Sequence, residues 1–475
     1  MSIYSENGSH NAAADEEITL IDTVRYNGLE VGRKYSVTGT LVDKETGKAL
    51  LDDAGKEITA SNEFTAEKPN GTIEITFKFS GVSLAGKTTV AFEHMYTDGK
   101  EVAVHADLKD EKQTEYFPSV HTTATSNDTE DHVVGANEKV TITDNVALKA
   151  LKLGTEYTLS GILMDAKTGK PIVIDGNTII ARRTFTADAH EMTVPLTYEL
   201  NASQLAGTTT VVFENLYSDG ALLAAHADLE DAEQTVYIPE IHTTAKDQTT
   251  KINHTEATKN ATIVDTVFYT HLLPGREYTV TGTLMDQATN KPILVNGKEV
   301  TAESTFTVKT QKGTVDVTFK FDGSALEDTM IVVFETLYTE GKEVGIHAEI
   351  GDEAQTVYLP KIRTNAKDGI TKIDHIEALP KAKIIDTVFY SSLLPGKEYT
   401  VTGTLMNKKI GEPVLIDGKK VTAGTTFVAE KAEGSVEVVF EFDASAIAET
   451  TVVAFESMEY KGIEVAVHAD IEDEN

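Results

Sequence analysis

One block of sequence occurs four times in this chain, and that repetition constrains the fold more than any other feature. The segment LEVGRKYSVTGTLVD at 29–43 returns as LKLGTEYTLSGILMD at 151–165, LLPGREYTVTGTLMD at 272–286 and LLPGKEYTVTGTLMN at 393–407. The first step is 122 residues and the next two are 121 each. Other blocks recur in the same order: a DTV-type block, an alternating strand such as VDVTFKF, an apolar strand ending in Phe-Glu, and a His-Ala-Asp or His-Ala-Glu block. A unit of this size can bury its own core without a cofactor. The chain therefore divides into modules at 1–118, 119–239, 240–360 and 361–475.

Every recurring block has the signature of a strand. Tyr-Thr-Val-Thr-Gly-Thr-Leu alternates with period two and is rich in β-branched residues, as a half-buried strand requires. Turn chemistry separates the blocks: Lys-Thr-Gly-Lys at 167–170, Ser-Asp-Gly at 218–220 and Asn-Gly-Lys at 296–298. No 3.6-residue period persists. The expected fold is all-β: four tandem immunoglobulin-like antiparallel β-sandwiches. Pro118, Pro239 and Pro360 recur at the module ends, each after an alternating strand. Proline ends a strand and stiffens the link to the next module. With no Gly/Ser tract between modules, an elongated, semi-rigid rod is expected.

Composition removes several function classes. The net charge of −34, spread along the chain, argues against nucleic acid and anionic lipid, which need basic surface. No apolar run approaches the length of a membrane span, and no leader sequence opens the chain. Sorting or anchoring sequences are also missing, so a secreted protein would be represented here by a fragment. The absence of cysteine excludes disulfides, thiolate zinc sites and cysteine nucleophiles. No cofactor or metal is expected. A secreted protein without disulfides must draw its mechanical resistance from elsewhere.

Polar residues recur at fixed places inside the apolar blocks. An acid sits in the DTV-type block: Asp22, Asp144, Asp265 and Asp386. A glutamate closes the Phe-Glu strand: Glu93, Glu214, Glu335 and Glu456. A histidine follows each glutamate by 12 residues: His105, His226, His347 and His468. A glutamine follows by 8 more: Gln113, Gln234 and Gln355. Near the module start, Thr122, Thr243 and Thr364 each lie 22 before their aspartate. Glu214 and His226 flank the turn at 218–220, so in a hairpin centred there they face each other across two strands. His226 and Gln234 are an even step apart and share a face if the chain between them is extended, although HADLEDAEQ reads as containing a turn. In isolation such a pair is an ordinary cross-strand polar contact. Its recurrence with a threonine and a glutamine points to chemistry.

Taken together, Thr, Asp-Thr-Val, Val-Val-Phe-Glu and His-Ala-Asp…Gln-Thr resemble the repeat domains of Gram-positive surface proteins called VaFE-repeat or Thr–Gln ester-bond domains. The resemblance covers essentially the whole chain. It implies an intramolecular ester between a threonine hydroxyl and a glutamine carboxamide, formed autocatalytically with loss of ammonia. Carried over, the crosslinks are Thr122–Gln234 and Thr243–Gln355. His226 and His347 would assist proton transfer, with Asp144/Glu214 and Asp265/Glu335 completing the sites. The implied setting is the stalk of a cell-wall-anchored, extracellular adhesin, with neighbouring repeats and an unseen tip or anchor as partners. The alternative is that the modules bind a host or matrix ligand directly.

The residues suit that chemistry. A threonine hydroxyl is a weak nucleophile until a base takes its proton. An amide is a weak electrophile until its oxygen is polarised and its nitrogen protonated. Two carboxyls in one buried site cannot both ionise easily, so one holds a proton to donate. Such a reaction turns over once, and the chain would not be an enzyme in the ordinary sense.

The end modules depart from the pattern. Counting back 22 from Asp22 lands one position before Met1, so module 1 lacks its threonine and most of its first strand, and would expose a sheet edge to another chain. Counting forward 8 from His468 lands one position past Asn475, so module 4 has no glutamine. Asp22, Glu93, His105, Gln113, Thr364, Asp386, Glu456 and His468 therefore belong to incomplete sites. Module 2 carries Asn145 after its aspartate where the others carry threonine, which bears on its site geometry. The acidic HADLEDAEQ and HADLKDEKQ stretches lack the glycine and ligand pattern of a calcium loop and read as solvated turns. His121, His132, His190 and His254 read as surface residues.

Overall fold

The computed structural model describes residues 1–475 except 7, 53 and 475. The chain forms two compact units, Met1–Pro239 and Glu240–Asn475, each holding two repeats. Within every repeat the strands form an antiparallel sandwich of two principal sheets, as the period-two blocks require.

Repeat 2 shows the plan. One sheet has three strands, with Val140–Lys149 between Met192–Leu200 and Ser119–Ser126. In the facing sheet Glu156–Asp165 pairs with Thr208–Ser218, which pairs in turn with Ala221–His226 and Thr235–Ile238. The repeated Tyr-Thr-Val-Thr-Gly-Thr-Leu block is the strand at the middle of this second sheet. In Glu277–Asp286 every second residue from Tyr278 to Leu284 is buried and the residues between are half-buried. Its glycine has a packing reason. A Cβ on Gly282 would lie 2.5 Å from Phe319 of the facing sheet, and one on Gly403 would lie 2.5 Å from Phe440. The ring occupies the space a side chain would take, and each such burial stabilises by about 2–3 kcal/mol.

The tyrosine of the same block has a second task. Tyr35, Tyr157, Tyr278 and Tyr399 accept the backbone N–H of Glu30, Lys152, Leu273 and Leu394 on their hydroxyls, at 2.9–3.0 Å. This holds the preceding loop against the sheet. The proline joints are one residue long: Thr114–Phe117 runs through Pro118 into Ser119–Ser126, and Thr356–Leu359 through Pro360 into Lys361–Asp368.

Two expectations need correction. Repeat 1 does form a first strand, Ser2–Ser5, with Ile3 opposite Asp22. In repeat 2 Ala124 is opposite Asp144. The turn linking the first two strands is one residue shorter in repeat 1, so the register brings Met1, not a position before it, to the place of Thr122. That strand has four residues where Ser119–Ser126 has eight, and Val102 stands 50% exposed where its counterparts Leu223, Val344 and Val465 are 0–3% exposed. The second correction concerns His254, expected at the surface but only 1% exposed. Its ring lies among tyrosines at the contact of repeats 3 and 4.

Candidate crosslink site

The site in repeat 2 is built where the two sheets meet at one edge of the sandwich. Thr122 stands on the edge strand of the first sheet, opposite Val146, and its neighbour Asp144 comes from the strand beside it. Glu214 projects from Thr208–Ser218 of the second sheet. Gln234 immediately precedes Thr235–Ile238, and the Ala124 amide donates to the Glu233 carbonyl at 2.9 Å, which draws the last segment onto the first strand. Thr122, Asp144, Glu214 and Gln234 are all fully buried. Gln234 Nε2 donates to Thr122 Oγ1 at 2.6 Å and to Glu214 Oε2 at 2.5 Å. Residues 112 apart in sequence are thus in direct contact.

Repeat 3 reproduces the arrangement. Gln355 Nε2 donates to Thr243 Oγ1 at 2.8 Å and to Glu335 Oε2 at 2.7 Å. Asn145 in repeat 2 points to solvent, away from its aspartate's side chain, so the departure at that position leaves the site geometry intact.

The hairpin carrying the glutamate and histidine pairs them as the spacing implies, Glu214 with His226 and Glu335 with His347. An even spacing of 12 does not suit a two-residue turn, and a bulge makes up the difference. Asp219 and Gly220 form the turn with φ of 48° and 80°, and the register slips by one after Leu216. The unpaired residue Leu223 then points into the core.

The acids are held in an environment hostile to two charges. Burial pushes Glu214 up to about 10, helped by the charge and hydrogen bond of Asp144. Burial raises Asp144 as well, opposed by the neighbouring Glu214 and Thr122 side chains. Asp265 and Glu335 are both raised by burial, and the presence of Asp265 raises Glu335 further. Taken as two carboxylates, the pair would leave both oxygens of Asp144 and Oε1 of Glu214 without a donor. One shared proton removes that conflict. The carbonyl oxygens of Gln234 and Gln355 are likewise buried without a partner, so each amide is anchored through its nitrogen alone.

Each histidine is held by an aspartate that spacing arguments on Thr, Glu, His and Gln overlook. His226 Nε2 meets Asp231 Oδ2 at 2.8 Å, and His347 Nε2 meets Asp352 Oδ2 at 3.0 Å. The other oxygen of Asp231 caps a turn by accepting the Glu233 amide. Burial alone would raise Asp231, but that amide and His226 together hold it below the usual carboxylate range. The signal was present: Asp110, Asp231, Asp352 and Asp473 each follow their histidine by five. Nε2 of His226 is thus engaged by Asp231 rather than by Glu214 or Asp144. The turn that places Asp231 also answers the extended-chain question, because residues 227–234 contain no strand.

The outer repeats carry partial sites. In repeat 1 Gln113 Nε2 donates to Glu93 Oε1 at 2.6 Å, beside buried Asp22, and His105 meets Asp110 at 3.0 Å. In repeat 4 Thr364, Asp386 and Glu456 come together, with His468 on Asp473 at 2.7 Å. The glutamine position of this repeat lies beyond Asn475, outside the described residues. Repeat 2 has one feature of its own. Tyr198 replaces Phe77, Phe319 and Phe440, and its buried hydroxyl, close enough to feel the charge of Glu214 and Asp144, has no hydrogen-bond partner.

Among the described residues no helix is long and apolar enough to cross a membrane. Comparison with curated protein sequences finds no match. Similar solved structures include a Mobiluncus mulieris adhesin described as containing intramolecular disulfide, isopeptide and ester bond cross-links. It is 14% identical over 55% of this chain and 89% of that one, with a TM-score of 0.22. A glycosyl hydrolase family 2 member from Bacteroides cellulosilyticus is 8% identical over 96% and 92% of the two chains, with a TM-score of 0.19. At these scores neither likeness carries an argument. The sequence profile of the T-Q ester bond containing domain, by contrast, matches residues 2–116, 118–238, 239–359 and 360–475. The chain therefore belongs to the family of T-Q ester bond containing domains, in four tandem copies.

Proposed function

We propose that repeats 2 and 3 each close an internal ester, Thr122–Gln234 and Thr243–Gln355, and that the chain serves as the crosslinked stalk of a bacterial surface adhesin. The observation that carries this reading is the direct contact of hydroxyl and carboxamide in a buried site, at 2.6 and 2.8 Å. Thr122 Oγ1 adds to Cδ of Gln234 and passes its proton to Asp144, the buried acid on the neighbouring strand. The tetrahedral carbon then expels Nε2, which takes the proton held between Asp144 and Glu214 and leaves as ammonia. One Oγ1–Cδ bond forms, one Cδ–Nε2 bond breaks, and the acid pair ends with the same single proton. A positive charge on His226, steadied by Asp231, would offset the negative charge that the acid pair carries before Asp144 takes the proton. Folding supplies the proximity. Each site reacts once.

The mechanical role follows from where the bond lies. It ties the first strand to the last and bypasses the chain between two residues 112 apart in sequence. Such a link does what a disulfide would do in a chain that has no cysteine. An extracellular, wall-attached position and a ligand-binding tip elsewhere belong to the same proposal. Proteolysis with tandem mass spectrometry tests it. A Thr122 peptide joined to a Gln234 peptide, and a Thr243 peptide joined to a Gln355 peptide, are expected. Recovery of all four as separate peptides with intact amides would overturn the proposal.

A further inference from the structure

The joint between repeats 3 and 4 contains a group that the crosslink chemistry does not use. A loop of repeat 3 enters repeat 4: Ile252 packs against its core cluster and His254 is 1% exposed. The imidazole lies between rings, 5.2 Å from Tyr358 of its own repeat and 4.5 and 5.8 Å from Tyr460 and Tyr399 of the next. His254 Nε2 is 2.9 Å from the Tyr399 hydroxyl, and Nδ1 is 3.2 Å from Asn253 Oδ1. The Tyr399 hydroxyl already accepts the Leu394 amide at 2.9 Å. Its own proton is therefore directed at Nε2, and Nδ1 carries the ring's hydrogen. A neutral imidazole satisfies every partner, whereas a second proton on Nε2 would displace the one from Tyr399.

The joint is specific to this pair of repeats. The place of His254 is held by Asn11 in repeat 1 and Val133 in repeat 2. The place of Tyr460 is held by Thr97, Ser218 and Thr339, and that of Lys461 by Asp98, Asp219 and Glu340. Repeats 1 and 2 meet through an uncharged version of the same contact, in which the Tyr157 hydroxyl donates to Asn11 Oδ1 at 2.9 Å. At the joint of repeats 3 and 4 a titratable ring replaces the amide, and a lysine replaces the acid that would have offset its charge.

We infer that His254 is an acid-released latch, docking repeat 4 onto repeat 3 while its ring is neutral and letting go when it is protonated. Three tyrosines and Lys461 face the ring. Asp247, Glu256 and Glu464 line an adjacent cavity of about 250 Å³, and none of them pairs with His254 among the described residues. Burial, with the charge of Lys461 second, lowers His254 from 6.5 to about 3. Because the docked state excludes the proton, docking is at full strength above pH 6.5 and weakens as pH falls toward 3. At pH 4 the docked-to-undocked ratio is expected to drop about 300-fold.

Hydrogen exchange on the full chain tests this, using peptides over 250–258 and 390–400, with protection corrected for the unstructured exchange rate at each pH. Between pH 7 and pH 4 the native chain should lose protection in both segments, approaching that factor. His254→Asn, which restores the contact seen at Asn11, should keep its protection at both pH values. Lys461→Asp, which supplies the acid found at Asp98 and Asp219, should lose less than the native chain. Unchanged protection in the native chain at pH 4, equal loss in H254N, or a loss in K461D as large as in the native chain would each overturn the latch.

Discussion

At the scale of single residues, the account rests on one proton shared by two buried acids. Replacing Glu214 with Gln, or Asp144 with Asn, leaves the site's volume nearly unchanged but removes the group that donates or receives. Crosslinking of repeat 2 is expected to slow by ~100-fold or more, read by mass against time after refolding. The pH dependence has an unusual sign for a carboxyl. Glu214 is raised from 4.5 to about 10 on folding, so its favourable contribution is complete below pH 4.5 and fades as pH climbs toward 10. In Thr122→Val, where no ester can form in repeat 2, the stability of that repeat should fall with rising pH by up to ~1.4 kcal/mol per unit. Denaturant melts between pH 5 and 9 check this, and a slope of the opposite sign contradicts the proton assignment. Tyr198→Phe, which removes a buried hydroxyl lacking a partner, should stabilise repeat 2 by ~1 kcal/mol. The threonine, acids, histidine and glutamine were legible because each recurs at a fixed spacing. Asp231 recurs as regularly, but it lies in an acidic stretch that reads as solvated turn. Nothing in the chain marks His254 as buried, because its burial is created by Tyr460 and Tyr399, residues of the next repeat.

At the scale of elements, alternation and turn chemistry were enough to read the strands and their antiparallel pairing. They do not reveal irregularities. The bulge after Leu216 is visible only as an even spacing around a two-residue turn, and the shortened first turn of repeat 1 moved its register by one residue. Division of the strands between two sheets was also hidden, because a half-buried strand looks alike in either. The glycine of the repeated strand supplies a test at this scale. Gly282→Ala would place a Cβ 2.5 Å from Phe319, and the ring cannot retreat into a packed core. A loss of about 1–3 kcal/mol is expected in repeat 3, measured by chemical unfolding. A neutral substitution would show that the two sheets are less tightly apposed than described.

At the scale of the whole molecule, four sandwiches follow one another through Pro118, Pro239 and Pro360, and a net charge of −34 disfavours close approach of like chains. Under tension applied through its ends, an uncrosslinked repeat would release its full contour. A repeat closed from first strand to last would not. Single-molecule pulling should show no release of the 112-residue span closed by either ester in the native chain. Gln234→Ala should restore one such step of roughly 390 Å, at about 3.5 Å per residue. The central claim, that two esters form, is tested most directly by the intact mass of the purified chain beside its Gln234→Ala and Gln355→Ala variants. The account predicts a native mass short by two ammonia molecules, with one restored by each substitution after allowing for the change of side chain. A native mass equal to that of the unmodified sequence would contradict it, leaving the threonine, glutamine and paired acids as buried structural contacts.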